Sequence, residues 1–123
     1  MPDLPEFALA SDDGTVVCER CLLAETPFAR LRGLLGRRGL PAGEGLLLRP
    51  AASIHTAFMR FAIDAVFLDR GDRVLKVSPA MEPWRVSSCR KARAVLELPA
   101  GEATRRGLRP GMSLTRIWPK PAV

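Results

Sequence analysis

Three groups of residues in this chain of 123 have types suited to chemistry. The first surrounds the sole histidine: Ser53, His55 and Thr56 precede Asp64 in the stretch SIHTAFMRFAIDAVFLDRGDRVLKV, which runs from Ser53 to Val77. A hydroxyl, an imidazole and a carboxylate are the parts of a nucleophile, a base and an orienting acid, provided that the strands around Phe61 are adjacent. No G-x-S-x-G turn presents either hydroxyl, and an aspartate among apolar residues has a structural use: it accepts backbone N–H groups, with the imidazole paired to it. The favoured reading is a small polar pocket lined by Ser53, His55, Thr56, Met59, Asp64 and Trp84, which binds a ligand. No residue is assigned a catalytic role, and a small hydrolase-like enzyme using His55 and Asp64 is the alternative.

The second group is Cys18-Glu19-Arg20-Cys21, a C-x-x-C that in a knuckle or at a helix start would bind zinc or exchange thiols. Here it lies in a β-branched run. In an extended chain, residues three apart face opposite sides with Cα atoms about 10 Å apart, beyond the roughly 7 Å that a disulfide spans. A tetrahedral zinc site needs four ligands, and only Cys89 and His55 are left to complete one. The expectation is structural thiols and no metal. The third group is Glu97 and Trp84. Alternation puts Glu97 on the face opposite Leu96 and Leu98, which reads as a solvated position, or as a partner of Arg32 or another arginine at a pocket rim. Trp84, in a loop broken by Pro79 and Pro83, closes a core edge or covers a pocket.

The elements that must position these groups follow from composition and pattern. Hydrophobic residues are 47% and charged residues 26%, which fits one ordered globular domain over residues 1–123. No apolar run reaches the roughly 20 residues of a membrane span, and the N-terminus carries acids where a signal peptide carries positive charge. Together with three cysteines, an odd number, this gives an expected cytoplasmic setting with reduced thiols. Nineteen basic against thirteen acidic residues leave a net charge of +6, and all but Lys76, Lys91 and Lys120 of the basic residues are arginine. That invites a nucleic-acid reading. Arginine in place of lysine through GC-rich coding bias accounts for it as well, and no interleaved aromatic platform accompanies the charge. The expected partners are a small ligand or a protein, with nucleic acid disfavoured, no membrane, no cofactor, and a monomer or weak dimer.

Along the chain, residues 1–12 read as a loose acidic arm and residues 119–123 as a tail. A strand runs from Thr15 to about Thr26. Thr26-Pro27 caps and starts the main helix, whose core face is Phe28, Leu31, Leu34 and Leu35, with Gly36 or Gly39 as its end and Gly33 inside it at a close backbone approach. A brief strand over GLLLRP, an imperfectly alternating segment from Ser53 to Met59, and a central strand from Ile63 to Leu68 follow. DRGDR turns, with Gly71 free to take positive φ, into a returning strand from Val74 to Val77. Pro79 to Ser88 is irregular. Ala94 to Leu98, a helical turn at Glu102 to Arg106 and a last strand from Met112 to Trp118 complete the chain. The predicted fold is α+β: about six strands, mainly antiparallel and curled into an open barrel, with one main helix and a short C-terminal helical turn.

Four ordered blocks carry a family likeness: RLRGLLGR at Arg30 to Arg37, SIHTAFMRFAIDAVFLD at Ser53 to Asp69, RVLKVSPAMEPW at Arg73 to Trp84, and AVLELPAGEATRRGLRPGM at Ala94 to Met112. From Val16 to Ile117 the chain resembles the domain of unknown function 192 family of small bacterial and archaeal proteins. It departs from the family pattern at Ala62, where the family usually has proline, and at Gly111-Met112, where the family commonly has Gly-Asp. The resemblance implies a β-rich α+β domain and supplies no activity.

Overall fold

A computed structural model of the protein describes residues 4–118, so the predicted tail at 119–123 and the first three residues of the predicted arm lie outside the described residues. Nine strands and two short helices are present among the described residues. Seven strands form one sheet. They are β1 (Glu6–Ser11), β2 (Val16–Ala24), β3 (Glu44–Leu48), β5 (Ile63–Leu68), β6 (Val74–Met81), β8 (Ala94–Pro99) and β9 (Leu114–Ile117), in the order β6-β5-β8-β3-β2-β1-β9. Only β2 and β3 pair in parallel. A separate pair, β4 (Ser53–His55) with β7 (Val86–Ser88), lies apart from it.

The large sheet curls so that its two edges meet at one end, where Arg73 bridges Ser113 and the Arg116 guanidinium grips both Asp72 oxygens at 2.8 and 3.1 Å. Phe7, Leu9, Val17, Leu47, Val66, Leu68, Leu96 and Leu98 fill the inside of the curl. A second apolar layer covers the outer face: Leu46, Ile63, Ala65, Phe67 and Val95 pack beneath Ala29, Leu34, Ile54 and Met59. The sheet is thus covered on both sides over β5, β8 and β3, which is why every residue of β5 is buried.

Several expectations are corrected. Residues 6–11 of the predicted arm form β1, whose Phe7, Ala8, Leu9 and Ala10 are buried between β2 and β9. The predicted main helix is one short turn and a half, α1 (Pro27–Arg32), capped as expected by Thr26, whose hydroxyl accepts the Ala29 N–H at 3.0 Å. It stops at Gly33, at φ 47, rather than at Gly36 or Gly39. With so few turns its apolar face does not reach the core: Phe28 and Leu31 are exposed, Leu31 at 73%, and Ala29 and Leu34 are the residues buried. In the β5–β6 turn Asp72, not Gly71, takes positive φ, because Asp69 Oδ1 accepts the N–H groups of Gly71 and Arg73, each at 2.9 Å, and fixes the turn. The irregular Pro79 to Ser88 segment contains the end of β6 and all of β7. The C-terminal turn is α2 (Glu102–Arg105).

Candidate functional site

Glu97 lies on β8, whose Ala94, Leu96 and Leu98 point into the curl. Alternation therefore turns Glu97 to the same side as Val95, as the pattern predicts, but that side is the second apolar layer and not solvent. Glu97 is 3% exposed, between Leu46 of β3 and Ala65 of β5 in register. Its Oε1 has no hydrogen-bond partner among the described residues. Burial alone pushes its acid up to about 8, so near neutral pH the group is a neutral carboxylic acid.

That orphaned group faces a cleft. Arg30, Leu31 and Arg32 of α1, the turn from Gly33 to Leu35, Leu48, Ser53, Ile54, His55 and Met59 surround it with Glu97, enclosing about 100 Å³. The early stop of α1 makes the cleft possible. At φ 47 and ψ −125 the chain turns over Glu97, and a Cβ on Gly33 would sit 4.0 Å from Glu97 Oε1. That is ordinary contact distance, so the close approach expected at this glycine is not found; its backbone angles are what favour glycine here. Arg30 spends one terminal nitrogen on the carbonyls of Glu25 (2.8 Å) and Arg49 (3.4 Å), and Arg32 has no ion-pair or hydrogen-bond partner among the described residues.

The six residues predicted to share a pocket separate into three places. Ser53, His55 and Met59 line the cleft. Asp64 does not: it is fully buried on β5, where Oδ1 accepts the N–H groups of Ala80 (2.7 Å) and Gly101 (3.1 Å) and Oδ2 that of Ala103 (2.8 Å). The carboxylate thereby ties β5 to β6 and to the start of α2, as the structural reading has it, with the exposed His55 no part of the arrangement. The His55–Asp64 pair on which a hydrolase would rest is not formed, because β4 leaves the main sheet and pairs with β7. Thr56 is a buried clamp. Its hydroxyl donates to Glu82 O (2.6 Å) and accepts from Arg85 N (2.8 Å), and its own N–H and C=O bond Arg85 O and Trp84 N.

Around that clamp Phe58 and Trp84 stand out from the surface, 73% and 61% exposed, their rings 4.7 Å apart edge to face. Both have φ near 65, a conformation bulky side chains rarely take. Trp84 is thus neither a core edge nor a wall of the cleft.

Cys18 and Cys21 also depart from the sequence reading. Phe7 pairs Cys21 and Leu9 pairs Cys18, so two residues of β2 oppose one of β1. This bulge at Glu19 and Arg20 turns both thiols to the interior of the curl instead of to opposite faces. Burial, with Cys18 adjacent, raises the Cys21 thiol well above its ordinary value. Both are free and packed as small apolar groups. Among the described residues no three His, Cys, Asp or Glu side chains are grouped as metal ligands. No helix among them is long and apolar enough to cross a membrane.

A curled, largely antiparallel sheet with two short helices and an acid-floored cleft on its outer layer defines a small, mostly β domain of the α+β kind. The chain belongs to the domain of unknown function 192 family, described as “Uncharacterized ACR”, which it matches over residues 8–116. A crystal structure of a protein of unknown function from Novosphingobium aromaticivorans DSM 12444 is similar at 24% identity with a TM-score of 0.78, over 91% of this chain and 84% of that one. A proposed transcription regulator from Sinorhizobium meliloti 1021 is similar at 22% identity with a TM-score of 0.83, over 94% of this chain and 97% of that one. At these identities the likeness establishes the fold. No curated protein matches the chain.

Proposed function

We propose that this is a non-enzymatic binding module whose site is the cleft over Glu97. The observation that carries the reading is the orphaned Glu97 oxygen: a buried polar atom without a partner costs about 1–3 kcal/mol, and a ligand in the cleft would satisfy it. The space of about 100 Å³ is well below the several hundred of a site for a nucleotide-sized ligand, so the ligand is small. Three free cysteines support a reducing, cytoplasmic setting. Nucleic acid is the weaker reading, since Arg20, Arg37, Arg85, Arg105, Arg106 and Arg116 are in ion pairs with acids of the chain itself. Amide chemical-shift mapping with a panel of small acids, amides, alcohols and amines tests the proposal. Shifts confined to Leu31–Leu35, Ser53–Met59 and the neighbours of Glu97 are expected, and lost in Glu97→Leu. A panel that leaves all these resonances unmoved contradicts it.

The Phe58–Trp84 pair favours a second role for the same module. Strained backbone holding two exposed aromatics, with Arg60 two residues beyond Phe58, suits a partner protein with an apolar and acidic surface. Once such a partner is purified, Trp84→Ser should weaken it by roughly thirtyfold or more, the mark of an interface anchor, and leave solute binding in the cleft unchanged. Equal affinity of parent and variant removes this role.

A further inference from the structure

The donors and acceptors around the cleft specify its ligand beyond being small. Arg30 retains guanidinium N–H groups beyond the nitrogen bound to Glu25 and Arg49, and all those of Arg32 are uncommitted. A guanidinium has donors only. The charged or titratable groups facing Glu97 are Arg30 and Arg32 from α1 and its end and His55 from β4; its strand neighbours on β3 and β5 are Leu46 and Ala65. Among the described residues no second acid lines the cleft, so positive charge and donors prevail, and the walls between them are Leu34, Leu48, Ile54 and Met59.

We infer, building on the binding-module reading above, that the cleft takes a carboxylate on a short apolar chain, its oxygens received by the Glu97 carboxyl, Arg30 and Arg32 and its chain by Leu48, Ile54 and Met59. A carboxylate is the acceptor-only partner that two guanidinium groups and a carboxylic O–H require, and O–H···O⁻ bonds between an acid and a carboxylate are short and strong. An ammonium group would find no ionised acid at neutral pH and would meet two arginines. The four-carbon size that the space allows excludes larger acids with bulky substituents.

Butyrate, butyramide and butylamine share this size and differ in charge, and acetate lacks the apolar chain. Calorimetric or shift titrations of the folded parent near pH 6.5 and near pH 9.5 distinguish them. Butyrate should bind best near pH 6.5, about tenfold tighter than acetate because two further CH₂ groups are buried. It should weaken more than about tenfold near pH 9.5, where Glu97 has ionised and repels it. Glu97→Gln keeps a donor without an ionisable group at that position, so its butyrate affinity should change several-fold less between the two pH values than the parent's. Butylamine binding that strengthens with pH overturns the carboxylate assignment while leaving a binding module, as does butyramide binding tighter than butyrate. Absence of binding by all four also overturns the assignment; the module itself falls only if the wider panel fails as well. The comparison among solutes on the parent stands even if Glu97→Gln does not fold.

Discussion

Replacing Asp64 by asparagine separates a structural carboxylate from a working one. The side chain is fully buried and accepts three backbone N–H groups, two on Oδ1 and one on Oδ2. Asparagine can keep its carbonyl oxygen toward Ala80 and Gly101, but its NH₂ then confronts the Ala103 N–H, 2.8 Å away in the parent. Stranding that buried donor costs about 1–3 kcal/mol, and turning the other two bonds from charged to neutral costs about 1 kcal/mol each. The expected loss is about 3–5 kcal/mol, a large part of the roughly 5–15 kcal/mol that stabilises a domain of this kind. Urea unfolding followed by tryptophan fluorescence should show the midpoint falling by more than about 1 M with an unchanged slope. Asp64→Ala, which leaves all three donors unmet, should lose at least as much. A midpoint for Asp64→Asn equal to the parent's would refute the reasoning and return Asp64 to the candidates for a functional acid.

Other outcomes follow from the same packing. Leu34→Ala should cost about 2–5 kcal/mol in a denaturant melt, and Leu31→Ala no more than about 0.5 kcal/mol, since only Leu34 of the two reaches the core. Thr56→Val removes both bonds of the clamp hydroxyl and should cost about 2–3 kcal/mol. In a Trp118→Phe background it should also change the emission of Trp84, because the Phe58–Trp84 pair is no longer held. Stability should fall as pH rises: Glu97 is protonated in the fold up to about 8 but only to its ordinary value of 4.5 when unfolded, so between these the native state holds the extra proton. The slope is on the order of 1 kcal/mol per pH unit. Urea midpoints of the parent relative to Glu97→Gln from pH 5 to 9 check it, and parallel curves would contradict it.

Local signals in the chain were strong enough to read several parts of this fold. The β-branched and apolar run from Ile63 to Leu68 marks a strand buried on both faces, and Thr26-Pro27 marks a helix start. An aspartate amid that run leads to backbone amides as its partners. What was not legible depends on distant residues. Alternation assigns Glu97 to the other face of β8, but only the packing of α1, Ile54 and Met59 over that face makes it interior. The helix stops at Gly33, whose φ of 47 and ψ of −125 leave the helical region, and this overrides the apolar spacing of Phe28, Leu31, Leu34 and Leu35. The bulge that gathers Cys18 and Cys21 arises from pairing with β1, a strand whose acidic flanks conceal it. Gly33, a glycine inside a helical pattern, was a signal that the helix could end early beside the cleft.

Glu97 is a buried acid at the cleft, unpartnered among the described residues. A carbon-detected NMR titration of its side-chain carboxyl, assigned by comparison with Glu97→Gln, measures this directly. A midpoint at about 8 is expected in the free protein, displaced when a solute occupies the cleft. A midpoint at the ordinary value of 4.5 would mean that Glu97 is solvated or paired, and would contradict a binding site built on it.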